Sequence, residues 1–89
     1  MESKFSLGSL VATPNVINHV PSDLILLALC RHVKGDWGDM SEEDKKENDF
    51  AIDKDLRIFS AYKYRDDDKF WIITEADRSV TTVLLPEDY

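Results

Sequence analysis

Cysteine is almost absent from this chain. Cys30 is the only one among 89 residues, so no disulfide can form within the molecule and a reducing compartment is the simplest setting. With His19 and His32 as the only histidines, soft ligands are too few for zinc. Cys30 and His32 stand two apart on a predicted helix and point to nearly opposite sides. Neither a metal nor a cofactor is therefore expected. Long apolar runs are missing too: the longest, Leu24 to Cys30, is far too short to span a bilayer. The opening residues have no cationic start followed by a long apolar stretch, so no signal peptide is expected, and the reading is cytoplasmic with no membrane partner.

Positive charge is scarce as well. Eleven basic residues stand against 18 acidic ones, a net charge of −7, which lacks the cationic footprint that neutralises phosphates. Direct nucleic-acid binding is disfavoured, and a basic host protein is the favoured partner class. The same balance also serves plain solubility. A hydrophobic fraction of 43% with 33% charged residues indicates neither wholesale disorder nor a fibrous repeat. A single domain of this length buries roughly 60–65% of its unfolded surface, so the core is small.

What is present is organised around Lys69 to Leu85. Phe, Trp, Ile, Val and Thr suit a pleated surface, and Glu75 to Ser79 interrupt them with turn-forming and charged residues, which predicts a β-hairpin. Phe70, Ile72 and Thr74 alternate with Trp71 and Ile73, so both faces carry apolar groups. Upstream, Phe5 to Thr13 reads as a first strand with Gly8 as a weak point or close approach. Thr13-Pro14 starts a short helix towards Val20, and Pro21-Ser22-Asp23 opens a second. That second helix is apolar nearly all round, which makes it the core helix, with Gly35 as its stop. Ser41-Glu42-Glu43-Asp44 resembles a capping box and begins a third helix to about Ile52. Arg57 to Arg65 returns to strand alternation, Asp66 to Asp68 turn into the hairpin, and Pro86 ends the last strand. The expected fold is α+β: an antiparallel sheet of three or four strands with two or three helices on one face, in the order β-α-α-α-β-β-β.

Several linear motifs carry a resemblance. They are Leu7-Gly8, Val11-Ala12-Thr13-Pro14, Arg31-His32-Val33-Lys34-Gly35-Asp36-Trp37-Gly38-Asp39, then Glu43-Asp44 and Asn48, Arg57-Ile58-Phe59-Ser60-Ala61-Tyr62, and WIITEADRSVTTVLLPEDY at the end. The chain resembles a family of small bacterial proteins usually labelled plasmid-related or hypothetical, over nearly its whole length. It departs between Pro14 and Pro21, where it is several residues shorter. The resemblance implies an accessory protein of plasmids, phages or integrated elements, and it brings no catalytic residue or cofactor with it.

Three features are candidate sites. Arg31, His32, Asp36, Trp37 and Asp39 surround the end of the core helix, where an imidazole beside two carboxylates can do acid-base work. The plainer reading is that His32 caps the helix C-terminus while Trp37 packs as a lid. Glu75, Asp77 and Arg78 form an exposed turn able to meet a polar small molecule such as a nucleotide, Arg78 gripping phosphate. No glycine-rich phosphate loop accompanies them, and a turn held by its own side chains explains the pattern too. If the two motifs share a pocket, the protein is a small-molecule binder or small enzyme. The third feature is the segment Asp36 to Asp55, with nine acidic residues and three lysines, a net of −6. Glu42, Glu43, Asp44, Glu47, Asp49 and Asp53 can imitate a phosphate backbone towards a basic partner, or simply solvate a helix face. A homo-oligomer through exposed Tyr62, Tyr64 or Trp71 is a further expectation.

Overall fold

A computed structural model describes residues 3–89. The elements are β1 (Ser9–Ala12), α1 (Pro14–His19), α2 (Ser22–Val33), α3 (Glu42–Lys54), β2 (Ile58–Arg65), β3 (Asp68–Thr74) and β4 (Val80–Leu84), closed by a 3-10 turn at Pro86–Asp88. This is the expected α+β order.

Local chemistry sets most boundaries. The Thr13 hydroxyl accepts from the Val16 amide at 3.1 Å, and Pro14 occupies the first helical position of α1. Ser41 caps α3 through the Asp44 amide at 3.1 Å. Gly35, at φ +86°, lets the chain leave α2 while the Asp36 amide bonds the Arg31 carbonyl. Gly8, at φ +64°, lies so close to the Arg78 and Ser79 carbonyls that any Cβ would collide with them. That close approach shortens the first strand to Ser9–Ala12 from the nine residues its alternation suggested.

The sheet order is β1-β4-β3-β2. β2, β3 and β4 are antiparallel, but β1 runs parallel to β4, with Ser9 beside Val80 and Ala12 beside Val83. The sheet is therefore mixed rather than antiparallel. The partner of β1 lies some seventy residues away, and no local signal sets the direction of so distant a pairing.

Tyr62, Phe70, Ile72 and Val83 point to the helical face and cluster with Val16 of α1, its cap residue Val20, and Ala28 and Leu29 of α2. Ile58 instead packs in a second cluster with Ala51 of α3 and Trp37. The opposite face carries Phe59 and Trp71, 4.8 Å apart, with Tyr89 edge-on to Trp71. α2 buries only Ala28, Leu29, His32 and Val33, leaving Leu26, Leu27 and Cys30 exposed. A helix apolar nearly all round is thus half wet, because the sheet covers it on a single side. Tyr62 is buried, and Tyr64 and Trp71 are half-buried, so the aromatics expected as an exposed oligomer contact belong to the molecule's own packing.

Candidate functional site

The loop after α2 spreads its charged groups outward. Arg31 grips Asp36 with two bonds, Nε to Oδ2 at 2.8 Å and Nη2 to Oδ1 at 3.2 Å. That guanidinium holds the Asp36 carboxyl below the usual carboxylate range. Asp39 pairs with Lys69 at 3.0 Å and Lys63 at 3.8 Å, and the Lys69 bond lowers its carboxyl likewise. Trp37 is buried, and its indole N–H donates to Asp49 at 3.0 Å. Its backbone and that of Asp39 bond Ala61 on the outer edge of β2.

His32 turns the other way and reaches no carboxylate. It is wholly buried, with Nδ1 on the Ser60 hydroxyl and Nε2 at 2.9 Å from Thr74 Oγ1. Thr74 Oγ1 lies 2.8 Å from Thr81 Oγ1, which donates to the Leu7 carbonyl at 2.7 Å. The terminal carbonyl can only accept, and each hydroxyl has one proton, so the whole chain is directed. Thr81 donates to Leu7, Thr74 to Thr81, His32 Nε2–H to Thr74, and Ser60 to Nδ1. The imidazole is neutral, and burial drives its pKa down to about 3. A serine beside a histidine suggests a nucleophile and its base, but Ser60, His32, Thr74 and Thr81 have no exposed surface. Together they are a satisfied polar seam joining α2 to three strands.

The hairpin turn is also internally occupied. Asp77 accepts from the Ser79 hydroxyl at 2.6 Å and amide at 3.0 Å, which lowers its carboxyl. Glu75 pairs with Arg57 at 3.4 Å. Arg78, at φ +62°, donates to the carbonyls of Leu56, Glu75, Ala76 and Ala51 at 2.7–3.1 Å. It clamps the end of α3 to the hairpin. Phe5 lies between the two polar motifs: it stacks on Trp37, meets the His32 ring edge-on and underlies Arg78. Neither the groove beside α3 nor the two depressions around Arg31 and Tyr62 are lined by both motifs, and among the described residues no three His, Cys, Asp or Glu side chains cluster as metal ligands.

The acidic segment is different. Glu42, Glu43, Asp44, Glu47, Asp49 and Asp53 are all exposed on α3. Glu42 pairs with Lys45 at 3.4 Å and Asp49 accepts from Trp37. Among the described residues, Glu43, Asp44, Glu47 and Asp53 enter no ion pair. Beside them a groove of about 670 Å³ runs between α3 and Leu56–Phe59. A second depression of about 370 Å³ lies at Arg31, Asp39, Tyr62 and Lys63, whose charges are those of the loop ion pairs.

No family model, curated protein or solved structure matches this chain.

Sequence reasoning missed Ser60, Thr74 and Thr81 as partners of His32. Their signal was a polar residue at an inward position of an otherwise apolar strand face, which calls for a buried partner. Asn48, which bonds β2, was missed as well, since an amide in a polar helix carries no such mark.

Proposed function

We propose that this is a small non-catalytic accessory protein of a mobile element that binds a basic surface of a host protein through α3 and its flanks. The observation carrying this reading is a contrast of commitments. Asp36, Asp39, Glu75, Asp77 and Arg78 are engaged in the molecule's own ion pairs and turns, and His32 is sealed in the core. The α3 carboxylates are exposed, and most are unpaired. Negative charge spaced along a helix imitates the phosphates that a nucleic-acid enzyme's cationic groove receives, so inhibition of such an enzyme follows naturally. The resemblance to plasmid-related proteins supports the setting.

Affinity capture from host extract tests it, with the wild-type chain beside a Glu43→Gln/Glu47→Gln/Asp53→Asn variant. Wild type should retain a basic protein at low ionic strength and release it as salt rises, and the variant should retain at least about tenfold less. Equal retention by both, or empty wild-type capture at low salt, sinks the reading.

A further inference from the structure

We infer that the groove between α3 and the Leu56–Phe59 segment receives a basic amphipathic helix of the partner. This rests on the acidic-surface reading above and adds to it an apolar anchoring site and the shape of the occupant. The groove holds Phe50 and Leu56, which are 56% and 48% exposed. Met40 and Phe59, both half-buried, line it as well. Large side chains left open within one concave surface on an otherwise very polar helix are what a partner's apolar residues fill.

The walls are fixed before any partner arrives. The Leu56 amide bonds the Ala51 carbonyl at 3.0 Å, and the Leu56 carbonyl accepts from Arg78 at 2.7 Å. Phe59 is held at both backbone groups by the Asn48 side chain, at 2.6 and 3.1 Å. Little ordering cost remains for binding to meet.

The same Asn48 bonds decide what can enter. With the outer backbone groups of Phe59 taken, an added strand finds no free N–H or C=O there. Recognition must run through side chains, as it does for a helix laid in a groove. The charge of that helix follows from the rim. Asp44 and Glu47 line the groove, and Glu43 lies one turn before Glu47 on the same side of α3. Arg57 at the far wall is neutralised by Glu75 and bonded to Tyr89, leaving Lys46 as the remaining cation of the rim. Lysines and arginines flanking an apolar stripe complement this arrangement, and the chain's net −7 steers them in.

The probe is a fluorescent synthetic helix of leucine and lysine, compared with an oligolysine of equal charge and a leucine–glutamate helix. Fluorescence anisotropy gives affinity, and NMR shifts locate the site. The leucine–lysine helix should bind with shifts centred on Met40, Phe50, Leu56 and Phe59. Phe50→Ser with Leu56→Ser should weaken it about tenfold or more, whereas Leu26→Ser, on the exposed side of α2, should not. Glu43→Gln with Glu47→Gln should weaken it and flatten its salt dependence. Both apolar substitutions fall on exposed side chains, and circular dichroism checks the fold. If oligolysine binds as tightly and Phe50 and Leu56 are immaterial, the groove is overturned while the acidic surface stands. Shifts centred on α2, or binding of the leucine–glutamate helix, also overturn the groove. If no cationic peptide binds at low salt, both readings fall.

Discussion

An imidazole with each nitrogen on a hydroxyl and no exposed surface has no route to a second proton. His32 therefore stays neutral to about pH 3 in the folded chain, while in the unfolded chain it titrates near 6.5. Below pH 6.5 the unfolded state takes up a proton that the folded state refuses, so stability is full above that value and falls as pH drops towards 3. Between pH 7 and pH 5 this amounts to about 2 kcal/mol. Urea denaturation at the two pH values should show that loss in wild type, and His32→Gln should remove most of it. Arg78 is the other residue whose role is structural. Lysine keeps its charge but loses the fork that reaches four carbonyls at once. Arg78→Lys should lower the unfolding free energy by roughly 1–3 kcal/mol in urea titration. Both residues were legible in the sequence as chemically capable groups. Their partners were not, because Ser60, Thr74 and the carbonyls of Ala51 and Leu56 reach them only through the tertiary fold.

At the scale of elements, the free edge of β2 shows how α3 is docked. Asn48 presents an amide that mimics a strand partner to Phe59, and one step along the edge Trp37 and Asp39 do the same to Ala61. The edge is thereby closed to further pairing at Phe59 and Ala61. Asn48→Ala leaves a part-buried donor and acceptor without a partner, so it should cost about 1–3 kcal/mol in urea titration. It should also speed hydrogen exchange at the Phe59 amide. Periodicity placed the β3–β4 hairpin, the three helix starts and the β2 strand, since each has its own local signal in alternation, capping or turn chemistry. It did not reveal that β1 lies parallel to β4, nor that Leu26, Leu27 and Cys30 of α2 face outward. Those outcomes depend on which elements meet, and that is settled by long-range packing.

Over the whole molecule, charge and burial are sorted to different places. The seam of His32, Ser60, Thr74 and Thr81 is sealed within a small core, and the surface ion pairs flank the loop and the hairpin turn. Among the described residues, Glu43, Asp44, Glu47 and Asp53 line α3 with negative charge that no ion pair answers. Its position in the chain was plain from the composition of Asp36 to Asp55. The apolar groove beside it was not, because Met40, Phe50, Leu56 and Phe59 come together only when α3 lies along β2. The proposed binding face is α3. Hydrogen exchange by mass spectrometry on the complex captured from host extract at low salt tests that most directly. Protection should fall on α3 and its flanks, from about Asp36 to Phe59, and vanish when salt disperses the complex. Protection confined to β1, α1 or the outer side of α2, with α3 exchanging as in the free protein, would contradict it.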